Sequence, residues 1–118
     1  MKNVILIGDS VIFLEMIQEY IERRYNKVNC VKFYNPFSAL QYIEAGNSID
    51  TMIIDYQMPK LNGLEMAYRI LVNHHQIRII IYTNLDKAFL LNKWKQYGLN
   101  EKIEICAKSS LEDIIGLI

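Results

Sequence analysis

Short apolar runs alternate with amphipathic helical segments along the whole chain. The strand-like runs are 4–7, 28–33, 52–54, 77–82 and 103–107, and the helical segments are 11–25, 36–46, 64–73, 86–97 and a last one from about residue 110. The run 4–7 is continuous and rich in β-branched residues, which is typical of a strand buried on both faces. Strict alternation predicts an α/β fold with a doubly wound, five-stranded parallel sheet covered by helices on both faces. The expected strand order is 2-1-3-4-5.

Length and charge exclude several classes of protein. A chain of 118 residues predicts one domain spanning 1–118. Its 13 basic and 13 acidic residues balance, and no basic cluster extends beyond Arg23 and Arg24, so we expect no direct nucleic-acid binding. No apolar stretch approaches the roughly 18 residues of a membrane span, and no secretory signal precedes the first strand. We therefore expect a cytoplasmic protein whose two cysteines, Cys30 and Cys106, are buried, reduced and unbridged.

Four polar residues follow or end predicted strands. Asp9 follows the first strand, Asp55 ends the third, Thr83 ends the fourth and Lys108 follows the fifth. In doubly wound sheets the ligand site lies outside the carboxyl ends of the strands, where the strand order reverses. The order 2-1-3-4-5 would bring these four side chains to one edge of the sheet.

These residue types form a minimal set for phosphoryl transfer to a carboxylate. The attacking carboxylate and the phosphoryl group are both anionic, so catalysis depends on positioning and charge neutralisation. Mg²⁺ typically binds one or two carboxylates together with phosphate and water. In this interpretation Asp55 is the nucleophile, Asp9 binds the metal, Lys108 provides a counter-charge and Thr83 donates a hydrogen bond.

The segment 55–65, DYQMPKLNGLE, closely matches the pattern D-x-x-M-P-x-x-x-G. On this motif and the four strand-end residues, the chain resembles over its whole length the receiver domain of two-component response regulators. The resemblance implies a flavodoxin-like (βα)5 fold and phosphorylation of Asp55 by a histidine kinase or phosphotransfer protein. It also implies Mg²⁺ held by Asp9, Asp55 and the main-chain carbonyl of Gln57, with Thr83 and Lys108 contacting the phosphoryl group. Such a domain is not a metabolic enzyme, although it is expected to assist its own phosphorylation and dephosphorylation.

Four positions depart from the family pattern. The family carries two adjacent acids after strand one, whereas the pair here is Asp9-Ser10, which predicts weaker Mg²⁺ binding. Ser10 is either a weak metal ligand or the N-cap of the first helix. The aromatic switch residue of the family is replaced by Ile105, whose χ1 is stiff. Ser109 replaces the proline after the lysine, so we do not expect a cis bond there. The loop before strand five is longer than usual.

The fourth helix carries more apolar surface than one buried face requires. Phe89, Trp94 and Tyr97 are therefore candidates for an interaction face. In receiver domains this helix, with strand five and helix five, commonly forms the interaction surface, which implies a possible homodimer. Phosphate on Asp55 would draw in Thr83 and reshape this face.

Three other interpretations are considered beside the phosphorylated switch. A degenerate receiver that binds partners independently of phosphorylation is the main alternative, and it is suggested by Ser10 and Ile105. A phosphatase with an aspartyl nucleophile usually needs a second Asp two positions on, where this chain has Gln57. A flavin-binding module needs a hydroxyl-rich loop after strand one, and residues 8–12 do not supply it. The chain stops within the predicted last helix, which is compatible with a domain excised from a longer response regulator.

Overall fold

The computed structural model describes all of residues 1–118, and strands and helices alternate strictly along it. The strands are β1 (Lys2–Ile7), β2 (Val28–Phe33), β3 (Thr51–Asp55), β4 (Arg78–Thr83) and β5 (Glu104–Ala107). The helices are α1 (Val11–Arg24), α2 (Pro36–Glu44), α3 (Gly63–Asn73), α4 (Lys87–Lys95) and α5 (Leu111–Gly116). All neighbouring strands are parallel, in the order β2-β1-β3-β4-β5. The predicted fold class and strand order are confirmed.

Polar side chains fix where the helices begin. Ser10, Asn35, Asn62 and Asp86 each accept a backbone amide of the first turn of the helix that follows. Three of these caps directly follow the loops at the carboxyl ends of β1, β3 and β4. The N-termini of α1, α3 and α4 are therefore fixed at the edge of the sheet where the predicted site lies.

The fourth helix is shorter than the predicted range of 86–97. Its regular part ends at Lys95, after which the amides of Tyr97 and Gly98 donate to carbonyls only three residues back. Gly98 then adopts a positive φ of 76°, which glycine tolerates without steric cost. The tight final turn and this glycine end the helix earlier than hydrophobic spacing alone indicates.

Two hydrophobic cores cover the faces of the sheet. Helices α2, α3 and α4 pack on one face, and α1 and α5 pack on the other. All five residues of β3 are buried, because this central strand is covered on both faces. The carboxyl end of β3, where Asp55 lies, is therefore held by packed structure on both sides.

Trp94 joins the long loop before β5 to α4. Its indole is only 5% exposed, and its Nε1–H donates to the carbonyl of Glu101 at 3.0 Å. Ile103, at the end of the same loop, is also buried. The expectation that Trp94 belongs to an exposed interaction face is wrong, because this loop folds over the indole.

The cysteines are free and lie on opposite edge strands, as expected. Cys30 and Cys106 are half-buried rather than fully buried, because edge strands are covered less completely than the central strand. No peptide bond in the chain is cis, so the link from Lys108 to Ser109 is trans. None of the helices is long and apolar enough to cross a membrane.

Candidate functional site

Asp55 is a buried carboxylate at the end of β3, only 3% exposed. Its Oδ2 lies 3.4 Å from Nζ of Lys108, and its Oδ1 accepts the backbone amide of Gln57 at 3.2 Å. Burial raises the pKa of Asp55 above its ordinary value, and the nearby charge of Asp9 raises it further. Lys108 and the amide of Gln57 oppose this shift in pKa without cancelling it. The carboxylate is therefore held in an environment where additional positive charge would be favourable.

The loop after Asp55 returns closely onto the end of β3. The amide of Gly63 donates to the carbonyl of Tyr56 at 2.8 Å. A Cβ atom at residue 63 would lie 2.9 Å from the Cα of Tyr56 and 3.0 Å from the carbonyl oxygen of Asp55. Within the same loop, Lys60 has a positive φ of 72°. The glycine of the sequence motif is thus required by the close approach of two backbone segments beside the acceptor.

Lys108 follows β5 and reaches across β4 toward Asp55. Its backbone amide donates to the carbonyl of Thr83 at 3.2 Å, which fixes the backbone of residue 108 beside β4. Its side chain is 31% exposed, so the stem packs inward while the ammonium group stays hydrated. The contact of 3.4 Å with Asp55 is a loose ion pair. A loose pair leaves the ammonium group able to bind another anion.

Thr83 ends β4 beside the acceptor strand. Asp55 is paired in register with Tyr82, so Thr83 lies one position beyond it on the neighbouring strand. Thr83 is 2% exposed, and its Oγ1 accepts the amide of Leu85 at 3.1 Å. This bond uses one lone pair and leaves the hydroxyl proton free to be donated.

Asp9 is exposed directly after β1, and its charge acts on Asp55. Ser10 is used differently, because its hydroxyl oxygen accepts the amide of Phe13 at 3.2 Å and caps α1. Gly8, buried at the end of β1, also lies near the acceptor, since a Cβ atom at this residue would lie 3.4 Å from the Cβ of Asp55. Of the two roles expected for Ser10, the structure shows the N-cap.

The chemistry of the donor groups suits a hard divalent cation. Asp9 and Asp55 offer carboxylate oxygens, and Gln57, on the loop after β3, offers a main-chain carbonyl. Two carboxylates supplemented by phosphate and water are a common Mg²⁺ environment. No group of three or more His, Cys, Asp and Glu side chains is arranged around a metal position. Bound there, Mg²⁺ would take its remaining ligands from water or phosphate oxygens.

The remaining candidate residues lie apart from the acceptor. Phe89 is 52% exposed on α4, with Nζ of Lys93 lying 5.2 Å from its ring centroid. Tyr97 is half-buried and packs against Tyr68 with ring centroids 5.2 Å apart. Ile105 is buried in the core beneath α4. Of the predicted interaction face, only Phe89 and part of Tyr97 are accessible.

Tyr82 is a site residue that sequence reasoning missed. Its side chain is 1% exposed, and its hydroxyl donates to the carbonyl of Ile7 at 3.3 Å. Nζ of Lys108 lies 5.9 Å from its ring centroid. The available signal was a polar-tipped aromatic residue next to Thr83 in an otherwise aliphatic strand.

Fold and site together define a doubly wound α/β protein with acids and a lysine at its topological switch point. The family model of the response regulator receiver domain matches residues 4–113. The chain belongs to this family.

Known relatives and structures agree with this assignment. The cyclic di-GMP phosphodiesterase response regulator RpfG of Xanthomonas campestris is 34% identical over 83 residues, which are 69% of this chain and 22% of that protein. The Francisella response regulator 1452 receiver domain superposes with a TM-score of 0.80 at 19% identity, covering 99% of this chain and 93% of that one. The Mn²⁺-bound form of response regulator Rcp1 gives a TM-score of 0.75 at 16% identity, covering 99% and 91%. The chain thus spans about a fifth of the length of the curated relative RpfG.

Proposed function

We propose that the protein is a phosphorylation-controlled receiver domain, in which Asp55 accepts a phosphoryl group from a histidine kinase or a phosphotransfer protein. The observation that carries this proposal is the distance of 3.4 Å between Nζ of Lys108 and Oδ2 of the buried Asp55. A lysine ammonium beside a nucleophilic carboxylate provides the point charge that phosphoryl oxygens require. The two residues come from different strands, so the fold itself creates the pair.

Transfer requires one bond to form and one to break. An oxygen of Asp55 forms the new O–P bond while the P–N bond of the donor phosphohistidine breaks, and its electron pair stays on the imidazole nitrogen. Lys108 binds one phosphoryl oxygen, and the Thr83 hydroxyl donates a hydrogen bond to another. Asp9, Asp55 and the Gln57 carbonyl would hold Mg²⁺, which supplies charge neutralisation between the carboxylate and the phosphoryl oxygens. The same groups allow the domain to assist its own phosphorylation and dephosphorylation.

The signal would pass from Thr83 to α4. Its Oγ1 accepts the Leu85 amide, so a rotation of Thr83 toward the phosphoryl group breaks this bond and frees the loop that enters α4. The cap of α4, in which Asp86 accepts the Phe89 amide at 2.9 Å, lies in the same short segment. Phosphate would therefore shift the population of conformations of this loop and helix. The buried Ile105 takes no rotating part in this proposal.

The proposed partners follow from this role. They are a cytoplasmic histidine kinase or phosphotransfer protein and, through α4, β5 and α5, a second copy of this chain. Because the chain spans 22% of RpfG, we also propose that it is a receiver domain excised from a longer response regulator with its own output region. The position of Lys108 beside Asp55, where a phosphoryl-binding cation is needed, favours this role over phosphorylation-independent binding.

The test is incubation with acetyl phosphate and Mg²⁺, followed by intact-mass measurement. We expect the wild-type chain to gain one phosphoryl group and Asp55→Asn to gain none. Lys108→Ala should be modified much more slowly, because the charge beside Asp55 is lost. An unmodified wild type, under conditions that phosphorylate a control receiver, would contradict the proposal.

A further inference from the structure

The side chain of Tyr82 crosses the sheet beside the acceptor. Tyr82 on β4 is paired in register with Asp55 on β3, so the two side chains leave the same face of the sheet. The hydroxyl of Tyr82 donates to the carbonyl of Ile7 on β1 at 3.3 Å. Because β3 lies between β4 and β1, the phenol ring must extend over the strand that carries Asp55.

The ring is fixed in this position. Tyr82 is 1% exposed, and its ring stacks on that of Phe13 with centroids 4.9 Å apart and an interplanar angle of 28°. The hydrogen bond to Ile7 holds the far end of the side chain. Burial raises the pKa of Tyr82, and the charges of Asp55 and Asp9 raise it further, so the group stays a neutral phenol. The site therefore has a rigid, uncharged aromatic surface on this side.

The ammonium group of Lys108 lies over this aromatic surface. Its Nζ is 5.9 Å from the ring centroid of Tyr82 and 3.4 Å from Oδ2 of Asp55. A cation within about 6 Å of an aromatic centroid is attracted to the ring face. The lysine side chain is flexible and 31% exposed, and a loose ion pair alone restrains such a chain weakly. The ring thus adds a second attractive contact at the charged end of the side chain.

We propose that Tyr82 is a positioning residue, whose ring face holds the ammonium group of Lys108 beside Asp55 before the phosphoryl group arrives. An ammonium group that is already in place needs no reorganisation during the transfer, which accelerates the reaction. The effect on rate rests on the proposed function, whereas the effect on the order of Lys108 does not. If Tyr82 only filled the core, neither property would depend on the aromatic ring, so the two are measured separately.

The order of Lys108 is tested on the metal-free chain by ¹³C relaxation of its ε-methylene group. Tyr82→Leu, and Tyr82→Met as a second variant without a ring, should make this group more mobile, whereas Tyr82→Phe should not. The matched control is Tyr25→Leu, because Tyr25 packs against the same core, donates to the carbonyl of Ile115 at 2.9 Å and has Arg24 5.8 Å from its ring centroid. It should leave Lys108 unchanged. Equal mobility of Lys108 in the wild type and in the variants without a ring would overturn the proposal.

The effect on rate is tested by phosphorylation with acetyl phosphate and Mg²⁺ in a double-mutant cycle. Tyr82→Leu should slow the modification roughly fivefold, as expected for the loss of one cation–π contact, and Tyr82→Phe should keep most of the wild-type rate. In the Lys108→Ala background, Tyr82→Leu should change the rate by less than about twofold, because the residue through which Tyr82 acts is absent. Equal slowing in both backgrounds would overturn the proposal. A wild type that is not phosphorylated would refute the proposed function, and the relaxation measurement would still decide whether Tyr82 positions Lys108.

Discussion

Replacing Asp55 by asparagine should stabilise the folded chain at neutral pH. The carboxylate is 3% exposed, and burial is the main cause of its raised pKa, so folding places a charge where it is poorly solvated. Asparagine has nearly the same shape, and its amide oxygen can still accept the Gln57 amide. Lys108 loses its partner but stays hydrated, because its side chain is 31% exposed. The substitution therefore removes a desolvation penalty and leaves no buried unpaired charge.

The expected gain is modest but measurable. Both oxygens of Asp55 have partners, so the gain is that of neutralising a buried ion pair, which ranges from about 0 to 4 kcal/mol, and the partial compensation by Lys108 favours the lower half of that range. For a domain of this size, each kcal/mol corresponds to a shift in Tm of roughly 4 °C. Thermal unfolding of Asp55→Asn, followed by circular dichroism without metal, should therefore show a Tm several degrees above that of the wild type. The matched control is Asp113→Asn, at an exposed residue of the first turn of α5, which should change stability by less than about 0.5 kcal/mol.

The pH dependence gives an independent check of the cause. Because the folded chain holds the Asp55 proton more tightly than the unfolded chain, this group favours folding as pH falls toward the ordinary value of 3.8. The difference in unfolding free energy between Asp55→Asn and the wild type should therefore be largest at a pH above the raised pKa of the folded chain. It should shrink as the pH falls from that pKa to 3.8. A variant that is less stable than the wild type at pH 7 would refute the reasoning, since it would mean that Lys108 and Gln57 outweigh burial.

Three further outcomes are expected. Gly63→Ala should destabilise the chain by more than about 1 kcal/mol in urea unfolding, because the added Cβ would lie 2.9 Å from the Cα of Tyr56; an unchanged midpoint would contradict this. Trp94→Phe should cost about 1 kcal/mol or more and change the ¹³C shift of the Glu101 carbonyl, since the indole N–H bond of 3.0 Å to that carbonyl is lost; an unaltered shift would argue against it. Burial raises the pKa of Cys30 to about 11, so its alkylation at pH 8 should be far slower than that of free cysteine, and a comparable rate would conflict with this.

The sequence predicted the fold and the acceptor because both depend on local patterns. Alternating strands and helices determine a parallel sheet, and a parallel sheet gathers its strand ends at one edge. Asp55 and Lys108 come together for this reason, although they are 53 residues apart in the chain. Their proximity can be predicted from the strand boundaries and the strand order alone.

Features that depend on side-chain packing between distant elements could not be predicted in this way. Ser10 is adjacent to Asp9 in sequence, but at the start of α1 its hydroxyl oxygen accepts the amide of Phe13. Trp94 has the spacing of an amphipathic helix, which does not reveal that the following loop covers it. Tyr82 differs from its aliphatic neighbours in the strand, but the sequence does not reveal that its hydroxyl donates to the carbonyl of Ile7.

The residue that carries the phosphoryl group, proposed to be Asp55, can be located directly. The most direct measurement is phosphorylation with acetyl phosphate and Mg²⁺, reduction of the acyl phosphate with borohydride, and peptide sequencing by mass spectrometry. We expect homoserine at residue 55 and unmodified aspartate at Asp9 and Asp50. Modification at another residue, or none at Asp55 in a chain that gained phosphate, would contradict it.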